Sequence, residues 1–139
     1  MGDLQQQRKL EVLVIDDDEA IRLLLSDAIS EVGDNVTTAV DGEEGKEKYF
    51  SKHNSDKSYD VVLTDLNMPN ISGTEVIRIV KQTSPQTPVY CMTGKEASEE
   101  YQSLAIQLGE LKPDGILQKP FNLEKIYQIL NEVRSRNFS

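Results

Sequence analysis

The chain contains a single cysteine, Cys91, so no intrachain disulfide can form. Its setting, PVYCMTG, reads as strand core, where a buried thiol packs as a small hydrophobe and stays unreactive. No apolar run approaches the roughly 20 residues that cross a bilayer. The opening MGDLQQQRKL has no apolar signal region. Gln6 stands where a myristoylation signal wants serine or threonine. Positive charge is also scarce: 15 basic residues face 24 acidic ones, for a net charge of −9. Unaided binding to nucleic acid or to an anionic membrane needs a concentrated basic footprint, and this balance excludes it. Lys125, Arg134 and Arg136 recur toward the C-terminus and read as a solvated helix face. There are no internal repeats, and no low-complexity tract beyond QQQ. What remains is a cytoplasmic chain of 139 residues, one domain, long enough to close a core without staples.

What is present is an alternation. Short apolar runs alternate with longer segments at helical spacing. LEVLVID (10–16) is a strand apolar enough to be buried on both faces. Ile21, Leu24, Leu25, Ala28, Ile29 and Val32 then recur at helical spacing, and Gly33-Asp34 ends that helix. NVTTAV (35–40) is β-branched but half polar, which places it near a sheet edge. DGEEGKEKYF opens a helix with acids in its first turn, as the helix dipole favours. Within it, Gly45 sits where alanine would serve a helix better. HNSDKS reads as a polar loop. YDVVLTD (59–65) and TPVYCMT (87–93) are further strands, and DGILQK (114–119) is a short last one. Val76, Ile77 and Val80 mark the helix after the third strand. Residues 95–109 form the next helix, with Leu104, Ala105 and Leu108 inward. Ile126, Ile129, Leu130 and Val133 mark the last. Five β–α units predict an α/β fold: a doubly wound, mostly parallel sheet with helices on both faces. Ligands in such sheets bind outside the carboxyl ends of the strands.

The polar residues fall at those ends. The first strand ends in Asp16-Asp17. The third ends in Asp65, two residues before Asn67. The fourth ends in Thr93 and the fifth in Lys119, which precedes Pro120. Taken singly, each has a bland reading. Asp16 to Asp18 could be a helix N-terminal acidic cluster. Asp65 could start a turn, Thr93 could be a strand threonine, and Lys119 could be a surface lysine. Jointly they gather acids, a hydroxyl and an ammonium on one rim. Clustered carboxylates suit a hard divalent cation such as Mg²⁺, which takes oxygen ligands and commonly a phosphate. A lysine opposite would neutralise phosphate oxygens. Asp65 could then be a carboxylate nucleophile that yields an acyl phosphate.

VLVIDDDEAIRLLL, DVVLTDLNMPNISGTEVI, PVYCMTG and GILQKPF together resemble the receiver domain of two-component response regulators. The likeness covers about residues 9–134, leaving tails at 1–8 and 135–139. It implies a five-stranded parallel sheet of order 2-1-3-4-5, the flavodoxin-like three-layer (βα)5 arrangement. It implies that Asp65 accepts a phosphoryl group from a sensor histidine kinase or a histidine phosphotransfer protein. Asp17 would ligate Mg²⁺ (Mn²⁺ can substitute), Asp16 would act through a water, and Asn67 would offer its backbone carbonyl. Lys119 would contact the phosphoryl group, Thr93 would move toward it, and Lys119-Pro120 would be cis. The downstream protein target would read the face of residues 94–134, with no direct role for nucleic acid or membrane. The chain would catalyse its own phosphorylation and dephosphorylation without being a turnover enzyme. Two departures stand out. Ile116 occupies a switch position that is often aromatic in the family, and QLGELKPDG lengthens the stretch before the last strand.

Two rival readings follow from the same residues. IDDDE also fits the nucleophile motif of haloacid-dehalogenase-type phosphatases, with Asp16 as nucleophile and Asp18 as acid/base. Ala20 stands where that motif wants threonine or valine, and Asp65 would have no role. A receiver-like interaction module without phosphorylation is the other, and the complete set Asp16, Asp17, Asp65, Thr93 and Lys119 argues against it.

Overall fold

The computed structural model of the protein describes residues 8–55 and 57–136, so Gln6, most of the N-terminal tail and the last three residues lie outside the described residues. Five strands alternate with five helices: β1 (Glu11–Ile15), α1 (Glu19–Glu31), β2 (Asn35–Ala39), α2 (Gly42–His53), β3 (Val61–Asp65), α3 (Gly73–Thr83), β4 (Val89–Thr93), α4 (Ala97–Leu108), β5 (Gly115–Gln118) and α5 (Leu123–Arg136). The strands form one parallel sheet in the order β2-β1-β3-β4-β5. This is the flavodoxin-like order, and β2 is the edge strand its half-polar sequence predicts.

Strand alternation sends successive side chains to opposite faces, and two cores result. Val12 and Val14 of β1 join Leu25 and Ile29 of α1 and Ile126, Leu130 and Val133 of α5. Leu13 and Ile15 face the other way, with Tyr49 of α2, Val76, Ile77 and Val80 of α3, and Leu104 and Leu108 of α4. All residues of β3 and β4 are buried. That explains why these strands read as unbroken apolar runs rather than as alternating ones. Burial pushes the Cys91 thiol up to about 12, in keeping with an inert strand position. No helix among the described residues is long and apolar enough to cross a membrane.

Local caps fix the helix starts. Asp18, Asp41 and Ser72 accept N–H bonds from Ala20, Glu44 and Glu75 respectively. The lengthened stretch after α4 becomes a single 3₁₀ turn, Gly109–Leu111. Two details depart from the sequence reading. Leu24 and Val32 are exposed although they share the helical spacing of α1. Arg134 is not on a solvated face: its guanidinium is bound to the buried Asp34.

Gly45 has a packing reason. A Cβ there would strike the Cδ1 of Ile15 and lie 2.8 Å from its Cγ1. The glycine lets α2 lie close on β1. Alanine should gain about 1 kcal/mol in helix propensity but incur an overpacking cost of roughly 1–3 kcal/mol. Since Ile15 is itself fully buried, with little room to yield, Gly45→Ala is expected to lower the chemical denaturation midpoint. A raised midpoint would show that α2 can shift off the sheet freely.

Candidate functional site

Parallel winding puts every strand's carboxyl end on one rim, and residues at or just beyond the ends of β1, β3, β4 and β5 build the site there. Asp16 follows β1 and is fully buried. Its N–H donates to Ala39 O at 3.2 Å, and its carbonyl accepts from Arg22 Nη1 at 2.9 Å. Its Oδ1 accepts the Asp18 N–H at 2.9 Å. Asp17 is exposed. Asp65 closes β3 and is 7% exposed. The loop beyond it folds back tightly: a Cβ on Gly73 would strike the Asp65 carbonyl and lie 2.7 Å from Leu66 Cα. Only glycine fits there, and the Gly73 N–H donates to Leu66 O at 3.0 Å.

Carboxylate oxygens of Asp16, Asp17 and Asp65 all lie within 4.8 Å of one another. Lys119 reaches into this cluster. Its ammonium donates to Asp16 Oδ2 at 2.8 Å and to Asp65 Oδ1 at 3.3 Å. Its backbone N–H bonds Thr93 O at 2.6 Å, so the lysine is anchored to β4 at the root of its own side chain. The Lys119-Pro120 bond is cis.

The electrostatics follow. Burial raises the Asp65 carboxyl above its ordinary range, the negative charge of Asp16 pushes the same way, and Lys119 partly opposes both. For Lys119, burial disfavours the charge, but its bonds to Asp16 and the attraction of both acids outweigh that cost and raise its pKa.

Two further sequence-predicted residues make no side-chain bond to this cluster. Asn67 is exposed on the loop that leaves β3. Thr93 is fully buried, but its hydroxyl donates to Glu100 Oε1 of α4 at 3.1 Å and accepts the Lys95 N–H at 3.0 Å. Sequence reasoning missed Arg22 and Glu100. Neither carries a local signal, since one looks like a helix-surface arginine and the other like a first-turn acid.

Asp18 is committed to capping α1, with its Oδ1 accepting the Ala20 N–H at 2.9 Å. On the phosphatase reading the acid/base would also have to serve as this cap. The family model "Response regulator receiver domain" matches residues 12–131. The chain belongs to the response regulator receiver domain family.

Relatives of this receiver domain occur alone and within longer chains. It is 32% identical over 126 residues to the "Probable chemotaxis protein CheY" of Rhizobium etli, covering 90% of this chain and 92% of that one. It is 29% identical over 126 residues to the "Autoinducer 1 sensor kinase/phosphatase LuxN" of Vibrio campbellii, covering 91% of this chain but only 14% of that one. Among solved structures, a response regulator receiver domain protein from Clostridium thermocellum superposes with a TM-score of 0.79 at 26% identity, covering 92% of this chain and 96% of that one. The module is thus a signalling domain of two-component systems.

Proposed function

We propose that this receiver domain takes a phosphoryl group on Asp65 from a phosphohistidine of a partner sensor histidine kinase or histidine phosphotransfer protein. One observation carries the reading. A desolvated carboxylate closes the central strand, with an ammonium 3.3 Å from its oxygen and two further acids beside it. An Asp65 oxygen would attack phosphorus, the P–N bond of the phosphohistidine would break, and the freed imidazole would take a proton. The product is an acyl phosphate. Lys119 would hold the incoming phosphoryl oxygens as a point charge. Thr93 would donate its hydroxyl proton to one of them.

The acidic cluster also fits a divalent cation. Three carboxylates supply hard oxygen ligands at mutual distances within 4.8 Å, the donor chemistry that Mg²⁺ takes. Asp17 and Asp65 would hold it directly, Asn67 by its backbone carbonyl and Asp16 through a water. Bound Mg²⁺ supplies charge neutralisation for the carboxylates and the phosphoryl oxygens. Phosphorylation would then bias the face of residues 94–134 between two arrangements and change its fit to a downstream protein. Nothing in this scheme asks for turnover, nucleic acid or membrane, and a cytoplasmic site of action suits it.

Intact-mass measurement after incubation with phosphoramidate tests the scheme. One phosphoryl group should add to the wild type, should require Mg²⁺, and should be absent in Asp65→Asn. An adduct that survives Asp65→Asn but is lost in Asp16→Asn would revive the phosphatase. A folded protein that never gains the mass would be an interaction module.

A further inference from the structure

Thr93 has one hydroxyl, with one proton to give. The structure gives that proton to Glu100. The bond runs from Thr93 Oγ1 at the end of β4 to Glu100 Oε1 in the first turn of α4, at 3.1 Å. The Lys95 N–H occupies a lone pair of the same oxygen at 3.0 Å. Thr93 is fully buried, so water does not compete for its proton. Glu100 is half-buried against it. A carboxylate is the stronger kind of acceptor for such a hydroxyl. Resting on the phosphoacceptor reading of Asp65, we infer that Glu100 is a positioning residue. It latches Thr93 to α4 and must release it before Thr93 can serve a phosphoryl group.

The chemistry of the rim makes this latch releasable. Phosphorylation would place new anionic oxygens on Asp65, which offer Thr93 a competing acceptor. The same charge repels Glu100. Release would also affect the rest of α4, because the helix start is tied down once more: the Ala97 N–H donates to Gln118 Oε1, beside Lys119, at 2.9 Å. Thr93 and Gln118 are register partners on β4 and β5. A change at Thr93 is therefore transmitted to a helix held at two neighbouring points. This offers a coupling route that needs no aromatic side chain where Ile116 stands.

The latch sets the balance between a held and a released Thr93. A released Thr93 is free to donate to the incoming phosphoryl oxygens in the transition state, so whatever favours the released form speeds phosphorylation. Glu100→Ala is expected to speed acyl-phosphate formation from phosphoramidate by about tenfold, the scale of one charge-assisted hydrogen bond. Glu100→Gln keeps an acceptor oxygen without the charge and is expected to fall between the two. Removing a negative charge could also attract the anionic donor without any help from Thr93. The pairing with Thr93→Ala separates these effects. In the Thr93→Ala background, Glu100→Ala should give no gain. A matching gain in both backgrounds overturns the latch in favour of general electrostatics, and no gain in either overturns it outright. If the wild type takes no phosphoryl group at all, the phosphoacceptor reading falls and the latch with it. A wild type that is phosphorylated while Glu100→Ala matches its rate refutes the latch alone.

Discussion

Lys119→Met is expected to slow acyl-phosphate formation by about 10²–10³-fold, the usual loss when one preorganised charge partner is taken from a reacting centre. The ammonium touches both Asp16 and Asp65, and Asp65 must be ionised to attack. In the metal-free protein, loss of Lys119 leaves burial and the charge of Asp16 acting on Asp65 unopposed, so its already raised pKa climbs further. Lys119→Arg should rescue little, because a planar fork does not replace a compact ammonium between two acids. Single-turnover intact-mass measurements with Mg²⁺ check this, and a wild-type rate in Lys119→Met would remove the lysine from the chemistry.

The same contacts fix the sign of a stability effect. A carboxyl whose folded pKa lies above its unfolded value of 3.8 holds its proton more tightly in the folded chain. Its contribution is full below 3.8 and is lost as pH rises through the raised folded value. Lys119→Met should enlarge that loss, so the variant should be least stable relative to wild type near neutrality and recover on acidification in metal-free buffer.

The sheet was legible because parallel strands buried on both faces leave apolar runs that nothing else in the chain imitates. The candidate site was legible for the same reason. A charged residue at the carboxyl end of a strand in such a sheet, as Asp16, Asp65 and Lys119 are, falls on the rim. What escaped the sequence depends on distance along the chain. Glu100 lies seven positions beyond Thr93, on an exposed helix start, and its role appears only once α4 is laid beside β4. Gly45 reads as a weak helix residue until Ile15 is placed beneath it. Leu24 and Val32 fit the helical period, but the stripe on α1 is wider than the surface it covers. Asp34 reads as a helix stop and Arg134 as surface charge, because the 100 positions between them hide their pairing.

That pair carries the largest stability effect expected here. Arg134 clasps Asp34 in a bidentate bond, with Nη1 and Nη2 at 2.9 and 3.0 Å from the two carboxylate oxygens. Asp34 draws up the pKa of Arg134 by these bonds, against the opposing effect of burial. The carboxylate is 2% exposed and also accepts the Leu10 N–H at 2.9 Å. It therefore joins the start of β1, the turn after α1 and the end of α5. Arg134→Met would leave a buried charge with only a backbone N–H, at a cost of about 3–5 kcal/mol. Against a domain stability of roughly 5–15 kcal/mol, that should lower Tm by more than about 10 °C. Adding Asp34→Asn removes the stranded charge while keeping an oxygen for Leu10, so the double variant should recover most of the loss. Leu10 lies at the opposite end of β1 from Asp16, so Asp65 in the folded single variant should be phosphorylated at the wild-type rate. A loss below about 1 kcal/mol would place the pair with ordinary surface bridges. A slowed phosphorylation would instead mean that α5 carries the strain along the sheet to Lys119.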